Sequence, residues 1–432
     1  NLGITHVAAI FFASMIYFEI YHHHWFLELF FGAKERNIQN MIYIIGLFCI
    51  SVMYRILLLK SGKTINVQDN NKGLFIPLLL YVSLGFFVVV LHEQGFDDVK
   101  RYLIYLFTPI MAFLGIRGIY RDNKNIKTAL HILFFLGVIF SVYSVVLHTM
   151  SDTDIQTMHG LSTLYERDYL MRFTIPGLGP NVLPSMSVPI ILTGLYFIRN
   201  ASAKSKYLYL GLTLLIFYNL VITPSRGAFV SLTAGLIYLT YKKWLKFNKK
   251  TFFIGLSFFL VLFIGGDALF LRMDATNALL QKALAEGVTD DLGKSETRLA
   301  SLIDTFSSYI RHNPILGSGF TYFIVSQNER LIAAEHNLYL ILFAQGGLLI
   351  FTPLIFILVF LYFNSRKILG RNMFADPSSK DMGIVLNAGL IAYIVDLNFP
   401  PGFFRYYWIW FGFVAAWARN CEVEYRTQSK LL

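Results

Sequence analysis

The sequence predicts an all-α integral membrane protein, a single polytopic domain of about twelve transmembrane helices with a large outer helical loop between the ninth and tenth spans. Three observations lead there. The chain of 432 residues is 56% hydrophobic and 15% charged, with mean hydropathy +0.55, where a soluble domain carries about 25% charged residues. Its apolar runs are each long enough to cross a bilayer as a helix. Basic and cation-poor loops alternate between those runs, which is how membrane orientation is set. The net charge of +11 does not indicate nucleic acid, because the cations sit in these short loops.

In order, the expected spans are 2–21, 40–59, 74–91, 102–118, 129–148, 181–198, 207–222, 226–241, 251–266, 336–363, 382–397 and 403–418. The first has no small-residue cleavage site after it, so it reads as a span and not a signal peptide. The chain begins at Asn1, so a short N-terminal piece is expected to be missing. Lys60, Lys63 and Lys72 fill one loop; Arg121, Lys124 and Lys127 the next alternate one; Arg199, Lys204 and Lys206 another. The run YKKWLKFNKK at 241–250, and Arg366, Lys367, Arg371 and Lys380, complete the series. These loops face the cytoplasm, and so do both termini. Cys49 falls in a span and Cys421 in a short polar tail, with no disulfide framework.

Two long segments then lie outside, 149–180 and 267–335. In the second, Leu299, Leu302, Ile303, Phe306 and Ile310 form an apolar stripe at helical spacing, with Ser295 as N-cap and Glu296 in the first turn. Such a helix lies on the bilayer or covers a cavity.

The stretch TPSRGAFVSL at 223–232 starts the eighth span on a polar turn. Ser225 is the expected cap and Arg226 stands at the outer helix start. Free amides, the positive end of the helix dipole and a guanidinium together suit an anion such as a diphosphate. Contact with lipid headgroups is the alternative for Arg226 alone. His336, in AAEHNLYLILF, also stands at an outer helix start, and Arg172 and Asn181 in RFTIPGLGPNVLP share that face. Arg298 lies in SETRLASL of the large outer segment. Arginines with a histidine on one face make a site for an anionic leaving group and a general base.

The ordered blocks TPSRGAFVSLTAGLIYL, HNPILGSGFTYF and EHNLYLILFAQGGLLIF resemble the bacterial O-antigen ligase and O-antigen polymerase superfamily. RFTIPGLGPNVLP resembles a segment found upstream in many members. The resemblance implies an inner-membrane enzyme that moves a glycan from undecaprenyl diphosphate to a sugar hydroxyl at the periplasmic face, inverting, with neither metal nor nucleotide sugar. It implies that Arg226 and Arg298 grip the diphosphate and that His336 is the catalytic histidine. The acceptor is lipid A–core in the ligase branch, the expected one, and another lipid-linked repeat unit in the polymerase branch, the close alternative that the motifs do not separate from it. Membrane lipids are the remaining partner.

Several residues carry a plainer alternative. Arg172 helps hold the carrier phosphate or only fixes its loop; Asn181 touches substrate or caps the sixth span; Arg405, in PPGFFRYYW, lines the cavity or meets headgroups. His336 is a general base or an interfacial histidine, Arg298 grips the anion or makes a structural salt bridge, and Glu335 orients His336 or is simply solvated. His22, His23 and His24 are adjacent and point apart on a helix, which does not suit a shared metal. Asp396 is an intramembrane acid and so a candidate, placed near enough to the outer face to be interfacial. The glycines of ILGSGF are expected to permit tight turns in the outer loop. A transporter or flippase for an anionic substrate is the rival class, against which stands the expectation of no duplicated halves and no discontinuous helix pair.

Overall fold

The computed structural model describes residues 3–18, 46, 49–50, 53, 56, 72–92, 99, 102–150, 182–223, 225–245, 310–320, 337–371, 374, 376–399 and 405–429. Among them the regular structure is helical. The elements are α1 (Ile4–Phe18), α2 (Lys72–His92), a π-helical turn (Leu103–Phe107) leading into α3 (Thr108–Ile119), α4 (Asn123–Met150), α5 (Val182–Asn200), α6 (Ala203–Ile222), α7 (Arg226–Tyr241), α8 (Leu338–Gly370), α9 (Pro377–Asp396) and α10 (Arg405–Ser429). Five of these are long and apolar enough to cross a membrane: α2, α4, α5, α6 and α8; α3 and α7 are shorter apolar helices. The expected ninth span at 251–266, most of the second, and nearly all of 149–180 and 267–335 lie outside the described residues, apart from 310–320.

Helix boundaries follow side-chain chemistry more than hydropathy. α9 begins at Pro377, ahead of its apolar run, because Asp376 accepts from the Ser379 amide at 2.8 Å and Pro377 needs no amide partner in the first turn. α4 likewise begins at Asn123, where Asp122 accepts from the Lys124 amide. Before α3 the chain forms a π turn ahead of Pro109, and the Thr108 hydroxyl bonds the Leu103 carbonyl at 2.7 Å. A proline there removes one backbone donor, and a wider turn with a hydroxyl donor is a common answer.

α10 is the axis of the bundle. Residues 406–418 are buried throughout, Trp408, Tyr407, Phe411 and Trp417 completely. It packs on α3, α9, α8 and α4, while α5 and α7 close on the other side of α9. Lipid is as apolar as a leucine side chain, so such helices associate through close van der Waals packing with small residues at the seam. Gly383 and Gly389 on α9 provide that seam: a Cβ at Gly389 would stand 2.5 Å from the Trp410 indole, and one at Gly383 still nearer the Trp417 ring. Outward, α2 shows Phe75, Ile76, Leu79, Phe86, Phe87 and Val90, the face expected of a helix against hydrocarbon.

α10 does not stop at 418. It continues to Ser429 and buries Cys421, so this stretch is part of the fold and not a polar tail. Its polar residues continue the helix because they hold the end of α3. Arg419 donates to the Arg117 and Tyr120 carbonyls, and Asn420 to the Tyr120 carbonyl. Also at this end of the bundle, Arg199 pairs with Asp381 at 3.1 Å and lies over the Trp244 ring, and Trp244 Nε1 donates to Asp381.

The seam predicts that Gly389→Ala lowers stability by about 1–3 kcal/mol through overpacking. Gly211→Ala, where a Cβ meets nothing within 4 Å, leaves it unchanged or raised. Thermal melting in detergent reads the difference.

Candidate functional site

α7 and α8 start as their sequences require. Ser225 caps α7 by accepting from the Ala228 amide, which makes Arg226 its first residue. Asn337 caps α8 by accepting from the Leu340 amide at 3.2 Å, so α8 begins at Leu338, just after the expected start at His336. α5 begins at Val182, directly after Asn181, and α10 begins at Arg405.

All four starts meet the C-terminal end of α9. The Leu338 amide donates to the Leu397 carbonyl at 2.9 Å, the Tyr339 hydroxyl to the Ile394 carbonyl at 2.9 Å, and Asn337 Nδ2 to Asn398 Oδ1 at 3.4 Å. Gly227 lies so close to Phe399 that a Cβ there would stand 2.4 Å from the Phe399 Cβ. The turn after α9 is closed by the Phe399 amide on the Asp396 carbonyl at 2.7 Å.

At the centre stands Asp396, with no solvent exposure. Its Oδ1 accepts from the Ser185 hydroxyl of α5 and the Ser231 hydroxyl of α7, each at 3.1 Å. Its Oδ2 accepts from the Tyr407 hydroxyl of α10 at 2.7 Å, and Tyr407 in turn accepts from Tyr406 at 3.2 Å. Ser231 also reaches the Gly227 carbonyl at 2.7 Å. The Tyr393 ring meets the Tyr407 ring edge-on, centroids 4.6 Å apart. The interfacial alternative for Asp396 therefore gives way to complete burial. A buried carboxylate is tolerable only when hydroxyls or amides fill its lone pairs, and here three helices supply them.

Of the sequence-derived site residues, two are placed by their backbones alone. Arg226 opens α7 and Arg405 opens α10, and both helix starts adjoin the turn around Asp396. Arg172, Asn181, Arg298 and His336 lie outside the described residues, as do Glu335 and His22, His23 and His24. Ser185, Ser231, Tyr406 and Tyr407 are the members that sequence reasoning missed. The one clue was the acid itself, since a carboxylate in an apolar helix has to recruit donors from somewhere.

α8 is broken. Gly347 has φ 58° and ψ −158°, so the helix divides into a short piece beginning at Leu338 and a longer one ending at Gly370. The expected span 336–363 is thus two helical pieces. The segment 310–320 sits in the break. The Leu348 and Leu349 amides donate to the Pro314 and Ile315 carbonyls, and the Ser318 and Gly319 amides donate to the Ala344 and Gln345 carbonyls. The glycines of ILGSGF do make turns, with Gly317 and Gly319 at positive φ, yet they also bring this backbone against α8. Just past the break an apolar groove of about 350 Å³ opens between α2 and α8, lined by Pro77, Leu84, Leu348, Leu349, Pro353 and Phe356 among others.

An eliminated hydrogen bond to a buried charged group costs about 1.5–3 kcal/mol. Tyr407→Phe is expected to lower stability by that amount, and Asp396→Ala by more, since three hydroxyls lose this acceptor at once. Melting of the purified protein in detergent checks both.

Residues 211–355 match the family model described as O-antigen ligase. The comparison with curated proteins returns no match.

Proposed function

From the match over residues 211–355 to the O-antigen ligase family model and from the apolar helices, we infer that the chain is a multi-pass bacterial membrane protein with ligase- or polymerase-type activity on lipid-linked glycans. From that premise we propose that the chain transfers a glycan from undecaprenyl diphosphate to a sugar hydroxyl at the periplasmic face of the inner membrane. The favoured acceptor is lipid A–core, which would complete lipopolysaccharide. The observation that carries the reading is the meeting of four helix N-termini, those of α5, α7, α8 and α10, around one turn. Helix starts gather free amides and positive dipole ends, which suits a diphosphate.

In this mechanism the acceptor hydroxyl attacks the anomeric carbon from the face opposite the phosphate oxygen. The carbon–oxygen bond to the carrier breaks and the pair of electrons leaves with undecaprenyl diphosphate, inverting the centre. His336 takes the hydroxyl proton, which imidazole does readily near neutrality. Arg226 and Arg298 hold the diphosphate and offset the charge that grows on it. Arg172, Asn181 and Arg405 contact the substrates, and Asp396 is not given a chemical step. The activated carrier bond drives transfer, with no metal and no nucleotide sugar. Inside the cell would lie the basic loops and both termini, and the full set of about twelve spans would complete the bundle. The groove between α2 and α8 has the apolar lining that a prenyl chain requires.

His336→Ala is expected to abolish transfer while carrier binding persists; wild-type turnover in that variant overturns the assignment. Arg226→Gln should lower kcat by about 10²–10³, the cost of one lost donor to developing charge. The assay supplies purified lipid-linked glycan with lipid A–core and, separately, with lipid-linked repeats alone. Product on lipid A–core marks a ligase, and lengthened lipid-linked chains mark a polymerase.

A further inference from the structure

The break in α8 is filled by protein. An unbroken helix would bond the Leu348 amide to the Ala344 carbonyl and the Leu349 amide to the Gln345 carbonyl. Both bonds are replaced, and each of the four freed groups bonds residues 314–319 instead. Discontinuous helices that bind ions or substrates leave such groups for the ligand, whereas these four are occupied.

The contact is backbone against backbone, and it requires glycine on both sides. A Cβ at Gly317 would stand 2.5 Å from the Gln345 carbonyl carbon, and one at Gly347 would stand 2.2 Å from the Ile315 carbonyl oxygen. Both have positive φ. Beside the joint, Ile310 is buried against Ala344, with Leu340 and Phe343 packed on it. Ile310 is the last residue of the apolar stripe that begins at Leu299, directly after Arg298. Asn337, which caps α8, directly follows His336.

We propose that Gly317 and Gly347 are positioning residues. Their joint fastens residues 314–319 to the break in α8, so that the first piece of α8, whose cap directly follows His336 in sequence, is held at both ends, by the joint and by the Leu338–Leu397 bond. A helix piece held in this way keeps one place through the catalytic cycle. This rests on the role given above to His336. The joint is static, not a gate: it stays closed while substrate turns over. A misplacement of about 1 Å costs about 100-fold in rate, so a rigid clamp between two motifs matters to kcat.

The test combines two variants and one staple, with Gly211→Ala as control. Hydrogen exchange on Gly317→Ala and Gly347→Ala should show residues 310–320 and 338–349 losing protection together while the rest of the bundle keeps it. Exchange confined to one of the two stretches overturns the clamp whether or not the protein transfers glycan. In the transfer assay both variants should lose about 100-fold in kcat, with KM for the donor within about threefold of wild type. Wild-type kcat in variants with loosened exchange overturns the positioning role, whereas absence of transfer by the wild-type protein overturns only the catalytic reading. Where the alanine variants do not fold, Ser318→Cys with Ala344→Cys, in a background with Cys49→Ala and Cys421→Ala, decides the matter. Oxidised protein that retains transfer supports a closed joint. Oxidised protein that is inactive until reduced shows that the joint must open, and overturns the proposal.

Discussion

Lipid offers no hydrogen bonds, so a polar group within the bundle is costly unless it finds its partner in the protein. That constraint explains most of what is irregular here. Serine and threonine hydroxyls return to their own helices: Ser187 to the Leu183 carbonyl, Thr193 to Pro189, Ser141 to Gly137 and Thr213 to Tyr209. Where α8 gives up two helical bonds, another stretch of backbone supplies four. Where a carboxylate is buried, three hydroxyls converge on it. Polar groups in such a setting act as fasteners, and their positions mark which elements must stay together.

Many of the fasteners gather at the two ends. Asp396 ties α5, α7 and α10 to the end of α9, and the Leu338–Leu397 and Tyr339–Ile394 bonds add α8. The opposite end is fixed separately by the Arg199–Asp381 pair with Trp244 and by Arg419 on the α3 carbonyls. Between them packing, with Gly383 and Gly389 admitting the two indoles of α10, is joined by single bonds across helices: Trp410 Nε1 donates to the Leu386 carbonyl, the Ser365 hydroxyl to Asn387 Oδ1, and Asn219 Nδ2 to Ser141. At the α9 turn the fastening falls where helices begin, the place where amides are unpaired by geometry and charge is best received.

Local chemistry was legible in the sequence. The cap at Ser225, the start of α7 at Arg226, the end of α6 at Ile222 and the helical nature of the apolar runs all follow from neighbours within a few residues. Boundaries set by polar caps were misplaced by hydropathy, as at Asp376 and Asp122, because lipid-crossing length is not helix length. The acid at 396 was visible, but its burial was not, since two of its donors stand 211 and 165 residues away in sequence. The break in α8 was hidden for the same reason: Gly346 and Gly347 lie in a continuous apolar run, and the backbone that justifies them comes some thirty residues earlier. The side chains of Arg226 and Arg405, and all of Arg172, Asn181, Arg298 and His336, lie outside what the structure describes.

The joint between residues 314–319 and 344–349 also limits how such proteins diversify. Two backbones that touch without side chains between them leave no room for one to drift alone. Recombination that replaces residues 314–319 has to enclose both glycine stretches between its crossover points. The unit of exchange is thus the whole interval from the loop to the helix it plugs, and sequence change must work on residues that hang from this interval without cutting through it.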